Sequence, residues 1–122
     1  MASTAWDIVL LANDLTISSR LQGATSRIGA RLHSAASVAK AEELCSENTP
    51  AILIIDLAMP NVELSFINKL KADAIKSPRI VAFGPHVHEA RLAAAEAAGC
   101  DVVLSRGAFW SQIDALLANA AG

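Results

Sequence analysis

Asp56 closes an apolar run, Ala51–Asp56, and Met59-Pro60 follows it three residues on. A carboxylate presented there can act as a nucleophile, accepting a phosphoryl group as an acyl phosphate. The transition state spreads charge over its equatorial oxygens, so cations and hydrogen-bond donors must surround it. The candidates for that shell are few. Asn13 and Asp14 follow the run Asp7–Ala12, Gly84 ends Arg79–Gly84, and Arg106 lies just past Asp101–Ser105. Mg²⁺ wants oxygen ligands, usually more than one carboxylate plus waters. Asp56 and Asp14 are the two metal candidates, with Asn13 offering a neutral oxygen. Arg106 can hold a phosphate bidentately, although it is bulkier than lysine and its guanidinium is planar. Gly84 supplies a backbone N–H and no hydroxyl. A plainer reading of Asp56 stands beside this one: a strand-terminal acid that caps the next loop.

Other chemistries find less support. His86 and His88 form a His-x-His pair in "GPHVHE", a spacing open to a transition metal. Without a strand beneath both, nothing makes the two rings point together, and a solvated loop is the expectation. His33 stands alone. No Gly-x-Ser-x-Gly elbow supports a hydrolase, and no Gly-x-Gly-x-x-Gly follows the first apolar run. Cys45 and Cys100 have no metal spacing and read as free thiols of a reducing compartment.

Composition narrows the class further. The 122 residues suit one domain spanning 1–122, and 53% are hydrophobic, enough for one core. Net charge is −2, so no basic surface argues for nucleic acid. No apolar run approaches the roughly 20 residues of a membrane span. "MASTAWD" lacks the basic and apolar regions of a secretion signal. The expectation is a cytoplasmic domain with no membrane contact.

These residues must be positioned by repeating elements. The four runs named above are short, continuous and rich in β-branched residues, as in strands covered on both faces. "ARLHSA", Ala30–Ala35, is a weaker fifth. Helical spacing fills the gaps. Ile17, Leu21, Ala24 and Ile28 mark the first helix; Val38, Ala41, Leu44 and Cys45, with Ser37 as N-cap, mark the second. Leu64, Phe66, Ile67 and Leu70 mark a third, "HEARLAAAEAAG" a fourth that stops at Gly99, and Trp110, Ile113, Leu116 and Leu117 a fifth. A β-strand followed by a helix, five times over, predicts a doubly wound five-stranded parallel sheet in three α/β/α layers. Ligands of such sheets gather at the carboxyl ends of strands, where strand order reverses. Asp56, Asn13, Asp14, Gly84 and Arg106 all stand at such ends.

Over essentially its whole length the chain resembles the receiver domains of two-component response regulators, the CheY-like (βα)5 members of the flavodoxin-like folds. "AILIIDLAMP" is similar to the receiver third strand and its loop, and "HEARLAAAEAAGCDVVLSRGAF" to the fourth helix through the fifth strand. The resemblance implies that Asp56 is the phosphoacceptor and that Ala58 belongs to the binding loop after it. It assigns the metal-binding acidic pair to Ala12 and Asn13, with Asp14 one place late. It assigns the phosphate-binding Thr/Ser to Gly84, the Lys to Arg106, the following Pro to Gly107 and the aromatic switch residue to Val103. The metal ligands, the phosphate donor, the Lys-Pro pair and the switch residue are therefore altered while the acceptor is kept. The expectation is a pseudo-receiver: not an enzyme, without a cofactor, and a phosphorylation-independent interaction module. Its partner would be a protein, a histidine kinase or an effector domain, with a homodimer through the fourth helix, fifth strand and fifth helix also in view. Arg91, Leu92, Ala95 and Glu96 are read as that working face. Two alternatives stay open. One is a working phosphoacceptor in which Asp14 joins Asn13 around Mg²⁺ and Arg106 replaces lysine. The other is a small-ligand-binding α/β domain.

Overall fold

A computed structural model describes residues 6–60, 62–72 and 77–121. Residues 1–5, most of the stretch searched for a secretion signal, lie outside them. Five strands form one parallel sheet in the order β2-β1-β3-β4-β5. The strands are β1 (Asp7–Leu11), β2 (Arg31–Ala35), β3 (Ile52–Asp56), β4 (Arg79–Gly84) and β5 (Val102–Ser105). The helices are α1 (Leu15–Arg27), α2 (Val38–Asn48), α3 (Phe66–Ala72), α4 (Glu89–Ala98) and α5 (Arg106–Ala121). This is the doubly wound five-stranded fold expected, and the weak second strand is real.

Alternation along the central strands divides the core into two layers. Ile8 and Leu10 of β1, Ile52 and Ile54 of β3, and Val81 and Phe83 of β4 face α1 and α5. Val9, Leu11, Leu53, Ile55, Ile80 and Ala82 face α2, α3 and α4. Every residue of β3 is buried, which explains its unbroken apolar run. On the α1/α5 side Phe83 stacks on Phe109, ring centroids 4.2 Å apart, a pair worth about 0.5–1.5 kcal/mol beyond its buried area. Trp110 packs edge-on to Phe109 and carries the Arg20 guanidinium 4.1 Å above its ring.

Helix ends follow local chemistry. Ser37 caps α2, its Oγ accepting from Lys40 N–H at 3.2 Å. Gly99 ends α4 in the left-handed region, φ 107°, where any side chain would be strained. Two helix expectations need correction. Ile28 is not on the buried stripe of α1 but caps its end, 44% exposed. Leu64 precedes α3, its carbonyl accepting from Ile67 N–H.

The amino end of the sheet is tied by acids. Asp7 Oδ1 accepts from Arg31 Nε at 2.9 Å and lies 2.9 Å from His33 Nε2. Asp101 accepts from Lys71 Nζ at 2.7 Å and from Ile80 N–H at 2.8 Å. It thereby joins α3, β4 and the start of β5. His33 is thus paired rather than isolated.

Candidate functional site

Strand order reverses between β1 and β3, so the crevice of such a sheet opens at their carboxyl ends. Asp56 ends β3, and Asn13 and Asp14 follow β1 directly. Gly84 ends β4, paired with Ser105 at the end of β5. Arg106 begins α5 with no intervening loop, because Ser105 Oγ accepts from Ala108 N–H at 3.3 Å and caps the helix. The residues singled out for chemistry therefore share one end of the sheet.

Asp56 is only 3% exposed. Its Oδ1 accepts from Ala58 N–H at 3.0 Å, the one hydrogen bond of its carboxylate among the described residues. Met59 N–H donates back to the Asp56 carbonyl at 3.2 Å, and the chain turns there. Asp56 thus does cap the loop that follows it, and Ala58 is the donor. Burial pushes its carboxyl above the ordinary carboxylate range. The Ala58 N–H and the Arg106 charge oppose that rise, while the Asp14 charge adds to it. Arg106 is felt electrostatically, yet it makes no ion pair with Asp56 among the described residues.

Asp14 is the N-cap of α1, with extended backbone and Oδ1 accepting from Thr16 N–H at 2.8 Å. Its carboxylate is directed at the helix start. Ala12, buried, has no donor atom to offer, and Asn13 contributes one amide oxygen. Among the described residues no three His, Cys, Asp or Glu side chains are grouped to hold a metal. Mg²⁺ requires near-octahedral oxygen ligation anchored by carboxylates; the two carboxylates at this end of the sheet, Asp14 and Asp56, each also accept one backbone N–H through Oδ1. His86 and His88 lie in an exposed turn.

Gly84 is closely overlain. A Cβ at that position would meet Leu57 Cβ at 3.2 Å and Leu92 Cδ2 at 3.8 Å. Any side chain at Gly84 would press on Leu57, which would have to give by a few tenths of an ångström. Leu57 is also bonded through both backbone groups. Its N–H donates to the Phe83 carbonyl at 2.8 Å, and its carbonyl accepts from Arg91 Nη1 at 2.7 Å. The loop after Asp56 is thus fastened to β4 and to α4. Val103 lies opposite Ala82 in the sheet, half-buried. It is a short branched side chain with no ring to turn.

Sequence reasoning missed the roles of Leu57 and Arg91. It also placed Ala95 on an outward face of α4, whereas Ala95 is fully buried and Leu92 half-buried. The i, i+3 spacing of Leu92 and Ala95 was the available signal for an inward stripe. Arg91 and Glu96 are exposed, as read.

Solved structures share this architecture. A response regulator signal receiver domain from Bermanella marisrubri is 23% identical, with a TM-score of 0.75 and coverage of 95% of this chain and 99% of that one. The receiver domain of a sensor histidine kinase from Pseudomonas aeruginosa, which holds a magnesium ion in its active-site cleft, is 13% identical. Its TM-score is 0.80, with 97% and 98% covered. An orphan response regulator from H. pylori is 15% identical, TM-score 0.72, with 93% and 92% covered. No family model and no curated protein matches the sequence. The chain has the CheY-like receiver fold. At these identities the likeness is one of fold. No helix among the described residues is long and apolar enough to cross a membrane.

Proposed function

We propose that this chain is a receiver-like signalling domain in which Asp56 serves structure, and which acts as a protein-interaction module independent of phosphorylation. The observation that carries the reading is the state of the cleft around Asp56. Its acidic neighbour caps a helix, its carboxylate's one hydrogen bond among the described residues closes its own turn, and Leu57 lies close over Gly84. A phosphoryl group arriving there would get no side-chain hydroxyl from Gly84 and, among the described residues, no cluster of three metal-ligating side chains. Each 1.4 kcal/mol or so of lost transition-state stabilisation slows transfer about tenfold. In this reading the domain has no turnover chemistry of its own and needs no metal. Its partner is a protein, of the kind represented by histidine kinases, effector domains or a second copy. The α4–β5–α5 face is the surface of choice, since β5 is an edge strand whose residues are all half-buried.

The test is direct. The protein is incubated with acetyl phosphate and Mg²⁺ or Mn²⁺ and its intact mass is measured. The expected outcome is an unchanged mass, together with amide NMR spectra unmoved by beryllofluoride. An added phosphate that disappears in Asp56→Ala overturns the proposal and favours a working acceptor assisted by Arg106.

A further inference from the structure

A cleft of about 250 Å³ opens between the β3–α3 loop and α4, lined by Leu57, Met59, Val62, Leu64, Arg91 and Ala94. Its floor is apolar: Leu57 and Met59 are buried, and Val62 and Leu64 are half-buried. Its single charge is Arg91. A guanidinium has five N–H donors in a fixed fork. One goes to the Leu57 carbonyl at 2.7 Å, and among the described residues Arg91 pairs with no acidic side chain. An apolar hollow with a convergent cation at its rim selects a ligand with an apolar body and one anionic end. The volume is slightly below the roughly 300–1,000 Å³ of drug-sized sites, so the body is one ring or a short chain.

We propose that this cleft binds a small amphipathic carboxylate, an aryl or short-chain acyl acid, with Arg91 as its anion anchor. The hollow adjoins the acceptor cleft through Leu57, but neither Asp56 nor Arg106 lines it. The proposal therefore stands whether or not Asp56 takes a phosphate. A bound acid spans the loop after Asp56 and the helix that Arg91 already straps to it. Occupancy favours one spacing of the two by the ligand's differential affinity, which makes the hollow an input to the α4 face.

The test uses phenylacetate and its neutral counterpart phenylacetamide, titrated into the whole chain and followed by backbone amide NMR. Saturable shifts are expected around Leu57, Met59, Val62, Leu64, Arg91 and Ala94. Arg91→Gln should weaken phenylacetate about tenfold more than phenylacetamide, the scale of one charge-assisted hydrogen bond, because any loosening of the Leu57 strap acts on both probes alike. Ala94→Trp, on an exposed helix position, should fill the hollow and abolish both responses. If Ala94→Trp perturbs the fold, the contrast between the two probes in Arg91→Gln decides alone. Absence of saturable shifts overturns the proposal, as does equal weakening of both probes by Arg91→Gln. Shifts in the same residues that depend on protein concentration without any probe assign the hollow to a second copy, and also overturn it.

Discussion

A carboxylate that is buried, short of partners and close to a second acid carries a cost, and Asp56 is in that position. Its folded pKa is raised, chiefly by burial, so the native state holds the proton more tightly than the unfolded chain does. By linkage, stability then falls as pH rises from the unfolded value of about 3.9 through the folded one, and the penalty is complete above it. Asp56→Asn keeps an oxygen for Ala58 N–H and removes the charge. It should raise stability at pH 7 by on the order of 1 kcal/mol, a few degrees in Tm. The gain should vanish at acid pH, as urea titrations at several pH values would show. A variant less stable at neutral pH would mean that Asp56 has a charge partner unaccounted for.

The loop after β3 and helix α4 are held together through one residue. Leu57 bonds to β4 through its N–H and to Arg91 through its carbonyl, while its side chain covers Gly84. Arg91→Ala should cost about 1 kcal/mol. It should also speed amide exchange at Leu57 and in the first turn of α4, where Arg91 and Leu92 N–H donate to the His88 carbonyl, with β1 and β3 unchanged. Uniform acceleration across the sheet would instead show that Arg91 supports global stability alone. Asp14 makes the same point at the start of α1. One place later than the acidic pair that the receiver resemblance implies, it caps helix α1.

The two ends of the sheet have opposite electrostatic sense. At the amino end, burial alone would raise the carboxyls of Asp7 and Asp101. Hydrogen bonds from His33 and Arg31 to Asp7, and from Lys71 and Ile80 N–H to Asp101, outweigh it and hold both below the usual range. Their contribution is present above the unfolded pKa near 3.9 and is lost as pH falls through the folded values. Asp101→Asn should therefore cost about 1 kcal/mol at pH 7, a modest figure because both Lys71 and Asp101 are one-third exposed. It should also flatten the acid limb of a stability–pH curve below about pH 4. An unchanged acid limb would sink this account of the amino end. At the carboxyl end Asp56 gives the opposite slope, so a curve of the whole protein sums the two.

Much of this was legible in the chain itself. Four of the strands were marked within one residue of their ends, because a strand covered on both faces must read as an unbroken apolar run. Asp56 at the end of β3, Ser37 as a cap and Gly99 as a stop are local signals that depend on nearest neighbours. The edge strand β2 was faint because exposed polar residues stand on both its faces, Arg31 on one and Ser34 on the other. What the sequence could not disclose is where side chains meet after the chain has turned. Arg91 reaches Leu57 across 34 positions, and Leu57 covers Gly84 only because parallel strands bring their ends side by side. Those long-range encounters exist only once the sheet has formed, and they decide what the acceptor position can do.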